Sequence, residues 1–249
     1  MNQKPRIIAI AISHYCEKVR WALDYLDVDY VEEDHAPPFH RQYTARHDGT
    51  TVPVLVMENE AFTNSHEILQ YLDGISEDKK LYPENPELRN QVETLEKLFD
   101  EKLGVASRTW GYYYAIQKPL AVAIAWGLNA PLIERIKALL IFPLIPRQLK
   151  RMYDVTPENK DLALERIREV FEIVNQELDS SKQFLVGDRL SAADITFAAL
   201  ASPILRPQHH PIYSSDLSKM SAERLDIVEH LRATSAGKFA LRLYQQYRI

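Results

Sequence analysis

Cysteine is nearly absent from this sequence. Cys16 is the only cysteine among 249 residues, which excludes an internal disulfide. A single thiol is typical of a reducing environment, so we expect a cytoplasmic protein. The N-terminus is followed by an apolar run of only residues 7–12, without a small-residue cleavage site. This pattern does not predict a secretory leader.

The sequence also contains no Lys/Arg-rich block. Lys and Arg total 30 against 35 Asp and Glu, a formal charge of -5, and no Lys/Arg-rich block offsets this balance. Nucleic acid is therefore excluded as an expected partner. The hydrophobic fraction of 46% is ordinary for a soluble globular chain that buries a core.

Apolar runs are too short to cross a bilayer. Residues 119–133 carry no charge and residues 138–146 are apolar again, but Glu134, Arg135 and Lys137 divide them. Neither run reaches the roughly 18 to 20 residues that a spanning helix requires. We interpret the two runs as core or dimer-interface helices. The alternative is a helix lying in a membrane interface.

The first eighty residues predict the order β-α-β, loop, β-β-α. Residues 6–12 form an apolar, β-branched run suited to a strand buried on both faces. The other predicted elements are a helix over 16–26, a strand over 28–32, a loop over 35–50, strands over 52–57 and 61–63, and a helix over 65–72. This order is typical of a thioredoxin-like domain, although other small α/β folds share it.

The remainder of the chain shows helical patterns only. Residues 74–86 are charged and contain Pro83 and Pro86, as an exposed connector would. We therefore predict an α/β domain over 1–74, a linker over 75–85 and an all-helical domain over 86–249. Pro86 and Pro157 are each suited to the first turn of a helix.

One helix start in the second domain is sharply defined by its sequence. Ser191 is suited to cap a helix whose third residue is Asp194, and Leu190 can pack onto Ile195. Such a cap contributes about 1 kcal/mol and determines where a buried helix begins.

The first candidate for a chemical role is the turn after the first predicted strand. Ser13 follows that strand, and Cys16 lies in the first turn of the following helix, where free N–H groups favour an anion such as a thiolate. The Ser13 hydroxyl could therefore activate a bound thiol by donating a hydrogen bond. The alternatives are that Ser13 is a plain N-cap and that Cys16 is a small buried side chain.

Two further sites suit the same kind of ligand. In Thr51-Val52-Pro53 the proline begins an apolar strand, and a cis bond there would leave the Val52 N–H and C=O free to pair with an extended peptide. Asn64-Ser65 begins the next helix and offers a hydroxyl and N–H groups to a carboxylate.

These motifs, in this order, resemble the cytosolic glutathione transferase superfamily. They are Ser13-x-x-Cys16-x-Lys18-Val19-Arg20, Val52-Pro53, Asn64-Ser65 with Ile68-x-x-Tyr71-Leu72, and Gly187-Asp188-x-x-Ser191-x-Ala193-Asp194. The resemblance is to the serine-type members. It implies a thioredoxin-like domain that binds glutathione, and an all-α domain with an electrophile pocket and a homodimer surface.

The resemblance also implies roles for individual residues. The residue matching Ser13 hydrogen-bonds the glutathione sulfur, the one matching Val52 pairs with the cysteinyl backbone, and the pair matching Asn64-Ser65 holds the γ-glutamyl group. His47 is the candidate for the glycyl carboxylate. Family members usually carry an acid where this chain has Asn64, so an ion pair to the γ-glutamyl amine would be lost.

The resemblance implies that the electrophile pocket lies between the Ser13 turn and the helix after the linker. Trp110 and Tyr113 on that helix are candidates for contact with an aromatic substrate, and His14 and Tyr15 lie next to the thiol position. Our hypothesis is a detoxifying glutathione transferase that uses glutathione as co-substrate and no metal. The alternatives are a thiol-disulfide reductase or lyase using Cys16, and a non-catalytic binding protein.

Overall fold

The computed structural model of this chain describes residues 4–178, 182–213 and 215–248. Its sheet has the strand order β2-β1-β3-β4. The strands are β1 (Arg6–Ala9), β2 (Val31–Asp34), β3 (Val54–Val56) and β4 (Ala61–Phe62). β2 is parallel to β1, β3 is antiparallel to β1, and β4 is antiparallel to β3. Ile7, Ile8 and Ala9 are at most 1% exposed, which confirms a strand buried on both faces.

Helices alternate with these strands as predicted, with one addition. They are α1 (His14–Tyr25), α2 (His40–Thr44) and α3 (Ser65–Ile75), and a 3-10 turn, Ala45–His47, follows α2. The prediction of a plain loop over 35–50 was wrong at α2. This helix has no side-chain cap, and Thr44 is its one buried residue, so the sequence carries neither a start signal nor an apolar stripe there.

Strand β2 begins later than predicted because residues 26–28 form the turn that ends α1. Asp27 adopts a left-handed conformation with φ of 55°, and the Val28 amide donates to the Leu23 carbonyl at 2.9 Å. These contacts are those of a helix C-terminus. The chain therefore joins the sheet only at Val31, whose amide donates to the Pro5 carbonyl at 2.8 Å.

Only helices follow the sheet in the described residues. The α-helices are α4 (Pro86–Leu98), α5 (Val105–Ala115), α6 (Pro119–Trp126), α7 (Leu132–Ile141), α8 (Ile145–Tyr153), α9 (Pro157–Glu177), α10 (Ala192–Leu205), α11 (Ala222–Ala233) and α12 (Ser235–Tyr247). A π-helical segment, Phe99–Gly104, joins α4 to α5, and a 3-10 turn, Phe142–Leu144, joins α7 to α8. The predicted starts at Pro86 and Pro157 are confirmed. None of these helices, within the ranges described, is long and apolar enough to cross a membrane.

The chain divides into two compact units. The first contains residues 1–79 and 112–156, and the second contains residues 80–111 and 157–249. Helices α6, α7 and α8 thus belong to the unit that holds the sheet. The division into an α/β domain over 1–74, a linker over 75–85 and a helical domain over 86–249 stays a prediction.

The second unit contains the predicted cap at the start of α10. Ser191 is the N-cap, and the Asp194 side chain accepts from the Ser191 amide at 2.8 Å and from its hydroxyl at 2.7 Å. The Leu185 amide donates to the other oxygen of Asp194 at 2.8 Å. An aspartate therefore reaches far enough to complete this capping box.

Candidate functional site

The turn between β1 and α1 presents the Ser13 hydroxyl. Ser13 is the N-cap of α1, with extended backbone angles, and its side-chain oxygen accepts from the Cys16 amide at 3.3 Å. The side chain is half-buried. A hydroxyl can donate as well as accept, and this one lies where the helix dipole favours a negative charge.

Cys16 lies one turn into α1 and is completely buried. Burial raises the pKa of its thiol to about 11, although Arg20 and the Ser13 hydroxyl act in the opposite direction. A thiol with this pKa is protonated at neutral pH, and a thiolate is the form that attacks.

A buried guanidinium holds the backbone just before Ser13. Arg20 donates to the Ala11 carbonyl at 2.8 Å and to the Glu32 carboxylate at 2.6 Å, and it contacts Glu17 at 3.3 Å. A buried cation needs such partners to offset its desolvation. The sequence carries no signal for this role of Arg20, because its partners in the turn and in the β2 segment come together only in the fold.

Val52 lies beside the same end of the sheet as Ser13. The Val52–Pro53 bond is cis, and β3 begins immediately after Pro53, with Val54 paired to Ile8 of β1. Within the described residues, the Val52 amide and carbonyl take part in no backbone hydrogen bond. Both groups can therefore pair with an extended ligand. Thr51, just before them, is exposed.

Asn64 and Ser65 form the start of α3, as expected. Asn64 is the N-cap, and its side-chain oxygen accepts from the His66 amide at 2.9 Å. Asn64 is exposed and Ser65 is buried. Helix α3 packs against α1. The first unit therefore contains two helix N-termini whose free N–H groups can donate to an anionic ligand group.

The two residues after Ser13 differ in exposure. His14 is 6% exposed, and Tyr15 is half-buried. Their rings lie 4.7 Å apart, centroid to centroid. His14 is therefore packed within the first turn of α1 and is not a solvent-facing side chain.

His47 faces a cavity at the other end of the sheet. This cavity, of about 460 Å³, is lined by His47 together with Arg6, Val56 and Glu58 among others. Arg6 pairs with Val56 at the start of β1, whereas Ser13 follows the end of that strand. The register thus separates the His47 cavity from the Ser13 turn.

Trp110 and Tyr113 have different surroundings. Trp110 is completely buried in the second unit, with the Arg224 guanidinium 5.2 Å above its ring. Tyr113 is half-buried and meets Tyr114 edge to face at 5.3 Å. Trp110 therefore packs an interior, and Tyr113 keeps an accessible surface.

A cluster next to Ser13 was not foreseen from the sequence. Ile12 packs against a buried apolar core formed by α6 and α8, together with Tyr112 and Tyr153. The two tyrosine rings stack at 5.2 Å. The run of aromatics around position 112 was the available signal, but the partner Tyr153 is distant in sequence.

Glu134 attaches α7 to the chain after β2. Its carboxylate contacts His35 Nδ1 at 2.9 Å and accepts from the Ala36 amide at 2.9 Å, and His35 Nε2 lies 2.9 Å from Glu33. Both Glu134 and His35 are buried. Glu134, one of the three charged residues between the two apolar runs, is thus a buried polar anchor.

Two family models match the chain. "Glutathione S-transferase, N-terminal domain" matches residues 8–80, and "Glutathione S-transferase, C-terminal domain" matches residues 135–220. Together they span more than half of the sequence. The chain belongs to the glutathione S-transferase superfamily. Its thioredoxin-like sheet domain and helical remainder are the architecture of that family, as predicted.

Individual relatives are distant in sequence. Glutathione S-transferase U6 of Arabidopsis thaliana is 27% identical over 113 residues, which are 41% of this chain and 47% of the relative. The chain thus matches about half the length of that relative.

Among solved structures, a glutathione S-transferase of Ceriporiopsis subvermispora in complex with glutathione has a TM-score of 0.65 at 19% identity, covering 99% of this chain and 98% of its own. The beta-etherase LigF from a Sphingobium species has 0.60 at 17%, covering 96% and 99%. These similarities establish the fold.

Proposed function

We propose that this chain is a glutathione-dependent transferase. The Ser13 hydroxyl donates a hydrogen bond to the sulfur of glutathione and stabilises its thiolate, which attacks a small hydrophobic electrophile. The observation that carries the proposal is the half-buried Ser13 hydroxyl at the N-terminus of α1, beside a thiol that is completely buried.

The energies required are within reach of this arrangement. A thiol with a pKa of about 8.5 becomes mostly thiolate at neutral pH when its pKa falls by ~2 units, which is about 2.7 kcal/mol. A hydrogen bond to a charged group contributes about 1.5 to 3 kcal/mol. The helix N-terminus adds about 0.3 to 1 kcal/mol. Together the two effects account for the shift.

Backbone groups supply the remaining proposed contacts to glutathione. We propose that the cysteinyl part pairs with the Val52 amide and carbonyl, which have no backbone partner in the described residues. The γ-glutamyl carboxylate would then meet the N–H groups at the start of α3, beside Ser65. Asn64 is uncharged, so it supplies no ion pair to the γ-glutamyl amine. We therefore expect a modest affinity for glutathione.

We propose that the electrophile lies beside the apolar core of α6 and α8, against which Ile12 packs. Tyr113 is half-buried and follows Tyr112, which stacks on Tyr153 and packs against the same apolar core as Ile12. An aromatic substrate can stack on such a surface. Trp110 is completely buried in the second unit, so we do not propose it as a substrate contact. Tyr15 remains a proposed contact near the sulfur.

The alternative that uses Cys16 is less well supported. Disulfide exchange requires a thiolate that can reach its substrate, and the Cys16 thiol is completely buried with its pKa raised to about 11.

Detoxification in the cytoplasm, by a homodimer, is part of our proposal. A sedimentation experiment that shows a monomer at micromolar protein concentration would contradict the proposed homodimer.

Ser13→Ala and Cys16→Ser test the proposal directly. With a chloronitrobenzene acceptor, we expect Ser13→Ala to lower kcat/KM about 10- to 100-fold, the loss of one charge-assisted hydrogen bond. The pKa in the pH–rate profile should rise with it. Cys16→Ser should change conjugation less than about threefold, and its thermal unfolding serves as the folding control.

Two results would contradict the proposal. One is loss of conjugation in Cys16→Ser with Ser13→Ala active. The other is a wild-type protein that is retained on immobilised glutathione but catalyses neither conjugation nor disulfide reduction, which would indicate a binding protein.

A further inference from the structure

Helix α7 directs its most apolar face away from the protein. Its buried residues are Glu134 and Ala138, whereas Leu132 is 69% exposed and Leu140 is 75% exposed. A soluble protein's helix normally buries its apolar face and exposes its polar one. Here the buried stripe contains a carboxylate that contacts His35, and the exposed residues are leucine and isoleucine.

The exposed apolar residues of α7 share one side of the helix. At about 100° per residue, they fall in an arc of about 120° centred opposite the stripe of Glu134 and Ala138. They are Leu132, Ile133, Ile136, Leu139 and Leu140. Arg135 and Lys137 flank the arc, one on each side, and both are exposed.

Neighbouring parts of segment 118–153 also expose apolar side chains. Leu120 and Ile124, one turn apart on α6, are about half exposed, and so is Leu144 just before α8. Helix α8 itself buries Ile145 and Leu149 and exposes its polar side. We name the exposed residues of segment 118–153 the apolar-basic face.

The charge on this face has one sign. All six cations of segment 118–153 are exposed, and its one acid, Glu134, is buried against His35 and Ala36. The cations are Lys118, Arg135, Lys137, Arg147, Lys150 and Arg151. The next acid, Asp154, follows the end of α8. The whole chain has a formal charge of -5, so the positive charge of this face is local.

We propose that the apolar-basic face binds to the surface of an anionic membrane. Leucine and isoleucine side chains enter the boundary between headgroups and acyl chains, and the flanking Lys and Arg contact anionic headgroups. The binding is peripheral and reversible.

The same features disfavour a protein partner at this face. A two-fold contact with a second copy would place the same six cations against each other, with no exposed acid in the segment to compensate. Leucine is under-represented among protein hot spots and aromatic side chains are enriched there, whereas the large exposed apolar side chains here are aliphatic.

Vesicle flotation with the full chain tests the proposal. The wild-type protein should float with vesicles of phosphatidylglycerol and phosphatidylcholine, and not with phosphatidylcholine alone. High salt should weaken the binding. The double variant Lys150→Gln, Arg151→Gln should bind about 25-fold more weakly, since each cation near the surface contributes about fivefold. Leu132→Gln with Leu140→Gln should weaken binding about tenfold or more.

Matched controls come from the second unit. Leu162, 43% exposed, is replaced by Gln, and Lys97→Gln is combined with Lys102→Gln. These variants should float as the wild type does. An environment-sensitive dye on Leu140→Cys should shift to the blue with anionic vesicles, and the same dye on Leu162→Cys should not.

Three results would overturn the proposal. They are no flotation of the wild-type protein, equal flotation of wild type and both face variants, and a dimer that becomes a monomer in Leu132→Gln, Leu140→Gln without any vesicle binding. The last result would assign the face to a second copy of the chain. A dye at Leu140 that does not respond would contradict insertion.

Discussion

Replacing Asp194 by alanine should be among the most destabilising single changes in the second unit. The carboxylate is completely buried and accepts hydrogen bonds from the Leu185 amide at 2.8 Å, the Ser191 amide at 2.8 Å and the Ser191 hydroxyl at 2.7 Å. Hydrogen bonds to charged groups contribute about 1.5 to 3 kcal/mol each, but they are not additive within one network. We expect a loss of about 4 kcal/mol.

Urea denaturation followed by circular dichroism would measure this loss. At about 2 to 4 °C per kcal/mol for a chain of this size, the midpoint of thermal unfolding should fall by roughly 10 °C. Asp188→Ala, in the exposed loop before the same cap, is the matched control and should change the unfolding free energy by less than about 0.5 kcal/mol. A loss in Asp194→Ala below about 1 kcal/mol, or equal to the control, would refute the reasoning.

The pH dependence gives a second test of the same residue. Burial raises the pKa of Asp194 to about 6 from its ordinary 3.8, despite the hydrogen bonds from Leu185 and Ser191. The native carboxyl thus binds its proton more tightly than the unfolded one, so its contribution to stability falls as pH rises through this window. The stability gap between wild type and Asp194→Asn should narrow by roughly 1 kcal/mol between about pH 5 and pH 7.5. A gap independent of pH would contradict this.

Three further predictions concern the first unit. Iodoacetamide should modify Cys16 in the folded protein at least about a hundredfold more slowly at pH 8 than in urea, because its pKa is raised to about 11; equal rates by mass spectrometry would contradict this. Glu134→Ala should lower the unfolding free energy by about 2 to 3 kcal/mol and increase hydrogen exchange in α7, since the His35 and Ala36 groups lose their partner; Glu158→Ala is the exposed control. Asn64→Asp keeps the helix cap, and under the proposed function it should lower KM for glutathione several-fold; an unchanged KM would separate Asn64 from the γ-glutamyl site.

Local patterns in the sequence were sufficient for most of the fold. The alternation of short strands and helices, the prolines at helix starts and the spacing of Ser191 to Asp194 all depend on neighbours within a few residues. Each was confirmed. The order of Ser13, Val52-Pro53 and Asn64-Ser65 was enough to indicate the superfamily, since these motifs occur at the ends of local elements.

Contacts between distant residues decided the rest. Three features join parts of the chain that are distant in sequence and share no local pattern. They are the burial of the Cys16 thiol, the anchoring of α7 by Glu134 and His35, and the packing of Ile12 and Tyr153 against one apolar core. The His47 cavity follows from strand register in the same way. The two apolar runs, 119–133 and 138–146, had the composition of buried segments. Only the tertiary structure determined which side of α7 is buried, because the polar anchor at Glu134 turns its leucines and isoleucines outward.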